Sequence, residues 1–428
     1  MFMAPVVSNT NTASTDVLIV GAGVIGLSTA LALHLAGRSV RVIESRAVGS
    51  GSSHGNCGTI TPSHAPPLAA PGMVARALGW SLQKDAPLHI PPRFDPALWR
   101  WLFSFASHCN ASDWHRTSLS KAALLNHSRG ALGEWVTRFD LQCEFMETGE
   151  DYVFRDADAF EHGQEELDIL KECGVQVDVL DGADYEKLEP AMQRGVAGAL
   201  RFRGDASVRP DIYVNELARV LRQRGVLIHE HSELTGLTSA STQWQATTTG
   251  GAFTARDVVL CTGAWTPKLK NLLDNAQWTQ AIQPGKGYSL TYTLPAVVPS
   301  RPIVLRERTV CVTSWGDRFR LGSTMEFSGF DTSLNRIRLD ALVRAANEYL
   351  VYPHGPELLE EWYGWRPMSS DDVPLIGAVP DQRGLWVNVG HGMMGMSMST
   401  ASAQLLAALM TEQDVPMDPA PYQVERFT

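Results

Sequence analysis

Asp16-Val17-Leu18-Ile19-Val20-Gly21-Ala22-Gly23-Val24-Ile25-Gly26 decides the fold. Val17 to Val20 is an unbroken apolar run of the kind that parallel strands show when both faces are covered. Val24 to Ala36 has helical residues and closes at Gly37, and Ser39 to Glu44 reads as a second strand. Together they make a strand–helix–strand unit with a right-handed crossover. The apolar stretch from Val17 to Gly37 is long enough to span a bilayer, but Gly21, Gly23 and Gly26 break it, which suits a strand turning into a helix. In this context Gly21 permits the tight turn, Gly23 lets a pyrophosphate approach the backbone, and Gly26 lets helix and strand pack closely. The helix N-terminus, at Val24 and Ile25, offers unpaired amides to phosphate. Glu44, 23 positions after Gly21, is placed to accept from ribose hydroxyls. The unit therefore predicts dinucleotide binding.

The whole chain fits that start. Its 428 residues exceed one comfortable core and suggest two domains. With 44% hydrophobic and 19% charged residues the composition is globular, and a net charge of −10 argues against nucleic acid as the main partner. Cysteines at 57, 109, 143, 173, 261 and 311 form no C-x-x-C pair, so neither a disulfide framework nor a metal site is expected. Met1 to Thr15 lacks a secretory pattern and is expected to be a frayed polar leader. A soluble cytoplasmic protein with reduced thiols is the expectation.

Prolines at 87, 91, 92 and 96 punctuate a departure into a second domain, with helices over Pro96 to Cys109 and Trp114 to Phe139. Phe145 to Phe154 reads as a hairpin around Gly149, Ala157 to Cys173 as one helix, and Gly195 to Val208 as strand. Asp211 is read as the N-cap of a helix through Gln223, followed by a strand over Val226 to His231. Asp257 to Ala264 is a second buried strand ending at glycine. Gly287 to Leu294 alternates, Gly316-Asp317 forms a tight hairpin, and a helix covers Leu339 to Leu350. A final strand, Leu385 to Val389, meets the turn Gly390-His391-Gly392 and an apolar helix over Met393 to Met410. Those methionines are read as core packing. His229 and His231 share a strand face without a recognisable third ligand. Trp99, Trp101, Phe103 and Phe105 pack a core or form a membrane or partner patch, with packing preferred.

From the glycine motif onward the chain resembles the D-amino acid oxidase-like FAD oxidoreductases. The resemblance continues through Gly51-Ser52-Ser53-His54-Gly55-Asn56-Cys57-Gly58, similar to the loop that passes the flavin, and through Ala65-Pro66-Pro67-Leu68-Ala69-Ala70-Pro71-Gly72. It reaches Val258 to Trp265 with Gly263, Pro284 to Ser289, Trp362-Tyr363-Gly364-Trp365-Arg366-Pro367 with Asp372, and Gly390-His391-Gly392-Met393-Met394-Gly395. The proline- and alanine-rich passage is more similar to D-amino acid dehydrogenase small subunits than to glycine or sarcosine oxidases.

The resemblance implies an α/β fold. A Rossmann-like FAD domain is expected from residues 15–85, 191–280 and 356–428, and a substrate domain of antiparallel sheet and helices from 86–190 and 281–355. It implies FAD held without a covalent bond by the glycine turn, Glu44, Ser45, Ser52, Ser53, His54, Gly263, His391, Gly392, Met394 and Gly395, with Cys57 in the first flavin loop keeping the question of a covalent bond open. Arg366 matches the position that clamps the substrate carboxylate, for which a guanidinium fork is suited. His391 and its glycines precede a helix whose amides can face the flavin C2 carbonyl. His54 stays open between amine-proton acceptor and turn residue, Tyr288 between carboxylate donor and strand aromatic, and Lys286 between reduced-flavin counter-charge and solvated side chain. The implied activity is dehydrogenation of a D-amino acid, D-proline or hydroxy-D-proline among the candidates, with electrons passed to a quinone or carrier protein. Peripheral association with the inner membrane face is compatible with that. An oxygen-using amine oxidase and a noncatalytic flavin-holding subunit remain as alternatives.

Overall fold

The computed structural model describes residues 15–80, 86–240 and 242–428, so the expected leader up to Ala13 and Ser14 lies outside the described residues. Two sheets organise the chain. The first has eight strands, and its parallel part runs in the order Leu227–His229, Val40–Ile43, Thr15–Val20, Gly251–Leu260, Leu385–Val389. Antiparallel strands Leu234–Ala240 and Gln243–Thr248 extend one side, and Leu375–Ala378 pairs with Leu385–Val389. The helix Val24–Leu35 is apolar nearly all round and is correspondingly buried between this sheet and the helix Gly395–Met410.

The second sheet has nine strands, in the order Leu358–Ser369, Ile282–Thr293, Arg318–Glu326, Val310–Trp315, Ile303–Leu305, Glu150–Phe154, Gly198–Phe202, Val177–Asp181, with Leu88–His89 beside Arg318–Glu326. Most pairs are antiparallel; Ile303–Leu305 lies parallel to Glu150–Phe154. One face packs Tyr288, Leu290 and Tyr292 against Leu339, Leu342 and Ala346 of the helix Arg336–Tyr349. The turn Gly316-Asp317 joins Val310–Trp315 to Arg318–Glu326 as a two-residue hairpin, as the sequence predicts.

Several sequence expectations change. Phe145 to Phe154 is no hairpin: Met146 bridges Ser207 and Glu150–Phe154 pairs with Gly198–Phe202, so both parts follow one returning segment, and Gly149 at φ 81° takes up the irregularity between them. Ala157 to Cys173 divides into Ala157–Gln164 and Leu167–Glu172; Gly163, against the Phe154 ring, weakens the helix near the break. Pro210 rather than Asp211 starts its helix, which fits proline's preference for the first helical position. Ile282–Thr293 is buried on both faces instead of alternating. Its strand having stopped at His229, His231 takes a left-handed turn position at φ 54°, while the His229 ring packs 4.9 Å from Phe253.

The crossings between layers also shift. Gly198–Phe202 and Leu358–Ser369 both belong to the nine-stranded sheet, so the chain returns to the first layer later than residues 191 and 356. The helix Ala111–Arg138 lies within 86–190, yet its Leu124, Leu125, Leu132 and Trp135 share a core with Val24–Leu35 and Gly395–Met410. On the helix Pro96–Ser107, Trp101 is buried while Trp99 and Phe103 are exposed, so the aromatic run splits by face.

Candidate active site

A cavity of about 1070 Å³ lies between the glycine turn and the nine-stranded sheet. It stands above the range of roughly 300–1,000 Å³ usual for drug-sized ligands, as a dinucleotide with a small second ligand requires. Gly21, Gly23, Val24, Ile25, Glu44, Ser45, Ser52, Ser53, Gly263, Arg366, His391, Gly392, Met394 and Gly395 all line it.

At the turn, Gly21 holds φ 111° and any side chain there would meet the Cys261 carbonyl, while a side chain at Gly26 would strike the Gly21 carbonyl. Gly26 thus acts by packing, beneath the wall. No side chain caps the helix from Gly23, and the Val24 amide donates only to Ser53 Oγ at 3.1 Å. The Glu44 carboxylate accepts from the Ala22 amide at 2.8 Å and from the Arg46 amide at 2.9 Å, which fixes it at the end of its strand. The helix Gly395–Met410 likewise starts at the cavity without a side-chain cap. Two helix starts whose N-cap residues supply no side-chain cap face one cavity and make sites for electron-rich groups.

The floor is one face of the nine-stranded sheet. Gly287, Cys311, Thr324, Gly364 and Arg366 line it from adjacent strands, with Glu150 and Tyr152 at the far side. Arg366 is the key cation. Its Nη1 donates to the Thr324 carbonyl at 2.6 Å, and among the described residues no carboxylate is bonded to it. Burial lowers its pKa to about 10, with Cys57 opposing. A desolvated guanidinium with spare donors calls for an anionic ligand.

Three sequence candidates leave the site. Tyr288 lies in the core under the helix Arg336–Tyr349, and its hydroxyl donates to Glu326 at 3.3 Å; only its place on the strand touches the cavity wall. Lys286 is fully buried and paired with Asp331 at 2.9 Å, so it is neither solvated nor at the cavity. His54 bonds Glu360 at 2.8 Å in a separate cleft with Arg209, Arg318 and Arg320. The Glu360 hydrogen bond, against burial, raises its pKa. His391 does line the cavity, but burial lowers its pKa to about 3, so it is neutral; its Nε2 meets Ser402 Oγ at 2.9 Å.

The far side of the cavity holds residues that sequence reading missed. Glu150 is fully buried, lines the cavity, and among the described residues has no hydrogen-bond partner on either carboxyl oxygen. Burial, then Asp205, raises its pKa well above the ordinary value. Asp205, buried and bonded by Ser63, is pushed up to about 7 by burial. His64 stands 3.7 Å from Glu150 and meets the Tyr152 hydroxyl at 2.9 Å. The only signal in the string is a pair of acidic residues opening the apolar strand Glu150–Phe154.

The family profile described as FAD dependent oxidoreductase matches residues 16–409. The chain belongs to the FAD-dependent oxidoreductase family. It is 32% identical to a D-amino acid dehydrogenase of Methylobacterium nodulans over 92% of this chain and 95% of the relative. It is 30% identical to a D-amino acid dehydrogenase of Vibrio cholerae over 94% and 96%. In fold it matches glycine oxidase from Geobacillus kaustophilus with a TM-score of 0.76 at 22% identity, covering 97% of this chain and 100% of that one. L-proline dehydrogenase from P. horikoshii gives 0.71 at 16% identity, covering 97% and 98%. FAD is the family's cofactor, and the residues present fit it. The glycine turn and the helix start face the cavity where the diphosphate would lie, Glu44 stands at the strand end for a ribose, and the second helix start is available to the ring.

Proposed function

We propose that the chain oxidises a D-amino acid at the bond between Cα and the amine, with D-proline and hydroxy-D-proline among the substrates in view, and passes the electrons to a quinone or a carrier protein. The observation that carries this reading is Arg366: a half-buried guanidinium in the cavity floor with no carboxylate bonded to it among the described residues. It suits an α-carboxylate, held by charge-assisted hydrogen bonds worth about 1.5–3 kcal/mol. The named D-amino acid dehydrogenases, similar over nearly the whole chain, support the stereochemistry and the acceptor class.

FAD, held noncovalently, supplies the two-electron acceptor for the Cα hydride. The chain's own part is positioning. Arg366 fixes one end of the substrate, and Gly287 leaves room for the guanidinium. Met325 Sδ lies 3.7 Å from Arg366 Nη1 and keeps that side apolar, a setting that disfavours the ammonium form of the substrate amine.

Val74, Trp99 and Phe103 both line the cavity and are exposed, Phe103 by 73%, which supports an apolar mouth for a quinone and a resting face on the inner side of the membrane. Among the described residues no helix is long and apolar enough to cross a membrane. The test is turnover of a D-amino acid with a soluble quinone analogue or with oxygen. Quinone reduction without peroxide, lost in Arg366→Ala, is expected; peroxide as the main product identifies an amine oxidase, and a flavin that no amine reduces identifies a noncatalytic subunit.

A further inference from the structure

Cys57 and Cys311 meet in the wall of this cavity from segments far apart in sequence. Cys311 lies opposite Gly322 on the neighbouring strand, and Cys57 Sγ occupies the space that a side chain at Gly322 would need. Arg320 presses the Cys57 loop onto the sheet: its Nη1 donates to the carbonyls of His54 at 3.1 Å and Asn56 at 2.7 Å. The two thiols are free and partly exposed, and their shared place beside Gly322 sets them side by side. Both line the cavity. Cys143 and Cys173 are buried away from the cavity, Cys261 is buried at its edge beside Gly21, and Cys109 bonds the Phe105 carbonyl.

The surroundings divide the roles. The hydrogen bond from Cys311 favours the Cys57 thiolate, burial opposes it, and the Arg320 and Arg366 guanidinium charges add to the favour. The Cys311 proton is held by the same bond, with burial and the Cys57 charge also raising its pKa, and Glu150 adds to that. One sulfur is a nucleophile and its neighbour a resolving thiol.

We propose that Cys57 and Cys311 form a dithiol that a low-molecular-weight disulfide, such as oxidised glutathione, closes into a disulfide, and that closure slows turnover. The Cys57 thiolate attacks one sulfur of the small disulfide and expels the other as thiolate. Cys311 then loses its proton, attacks the Cys57 sulfur of the mixed disulfide, and expels the second thiolate. Two thiols of the chain are oxidised and one small disulfide is reduced to two thiols. The new bond removes the thiolate beside Arg366 and draws the loop toward the sheet. That loop also carries Ser52 and Ser53, the latter bonded to the Val24 amide at the cofactor turn.

The effect on rate rests on the functional reading above; the bond does not. The test equilibrates the holoenzyme in glutathione buffers from fully reduced to fully oxidised, alkylates it, maps linked peptides by mass spectrometry, and times flavin bleaching by a D-amino acid. A Cys57–Cys311 peptide is expected, with bleaching slowed roughly tenfold, about 1.4 kcal/mol in barrier, and restored by dithiothreitol. Cys57→Ser should lose all sensitivity to the oxidant, and Cys311→Ser should trap one glutathione on Cys57. Absence of the linked peptide, or its formation at unchanged rate, overturns the inference. Failure of the fully reduced protein to bleach with any amino acid counts against the functional reading instead.

Discussion

The guanidinium of Arg366 lies where a side chain at position 287 would begin, so Gly287 is what admits the cation to the cavity floor. Gly287→Ala should therefore act through Arg366. Because the obstructing atoms end a flexible side chain, the fold should persist while the guanidinium is displaced. KM for the amino acid should rise roughly 10-fold to 100-fold, the loss of one or two charge-assisted hydrogen bonds at about 1.5–3 kcal/mol. Steady-state kinetics beside a thermal melt will check it. Arg366→Met should show the same loss with an equal or higher melting temperature, since it removes a half-buried charge that has no carboxylate partner among the described residues.

The glycine turn separates folding from cofactor binding. A side chain at Gly21 would collide with the Cys261 carbonyl, so Gly21→Val should unsettle the fold itself. A methyl at Gly23 meets only Ser53 Oγ, at an ordinary 3.5 Å. Gly23→Ala should fold normally yet take up FAD at least about tenfold more weakly, because the methyl stands where the diphosphate approaches. Flavin content after reconstitution measures this directly.

The cofactor turn was legible in the sequence because its glycines, helix and acidic residue act within one local unit. The place of Arg366 at the cavity was legible by its motif. The partners around it were not, and Gly285-Lys286-Gly287-Tyr288 shows why. The alternation puts glycines on one face and bulky side chains on the other, but nothing in the string says which face bears the cavity. The register places the glycines there, and Lys286 and Tyr288 turn to Asp331 and Glu326 on the far side. His54 stayed open for a related reason: a loop beside the cofactor has two sides, and its ring points to Glu360. Glu150, Asp205 and His64 come together only through tertiary folding.

Asp205 should make stability fall with rising pH. Its carboxyl, ordinarily titrating at 3.8, is pushed up to about 7 by burial, so between those values the folded chain holds a proton that the unfolded chain has lost. Such a proton gives a slope of at most about 1.4 kcal/mol per pH unit. Asp205→Asn keeps an acceptor for the Ser63 amide and should flatten the slope from about pH 4 to 7. Denaturant midpoints across that window check it.

His54 should prove dispensable for proton transfer. His54→Gln should leave the pH profile of kcat/KM unchanged, whereas a base at the flavin would erase its acidic limb. Its bond to Glu360 raises the imidazole pKa, so the stabilisation is complete below the unfolded value, ordinarily 6.5, and disappears as pH rises through the folded one. With the two side chains 39% and 35% exposed, it should amount to less than about 1 kcal/mol.

The central claim is that a carboxylate seated on Arg366 delivers its Cα hydrogen to the flavin. The most direct measurement is anaerobic mixing of the purified yellow protein with matched D- and L-amino acids while the flavin absorbance is followed. Rapid bleaching by a D-amino acid, with its mirror image inert, is the predicted result. A yellow protein whose colour survives every D-amino acid would contradict the account.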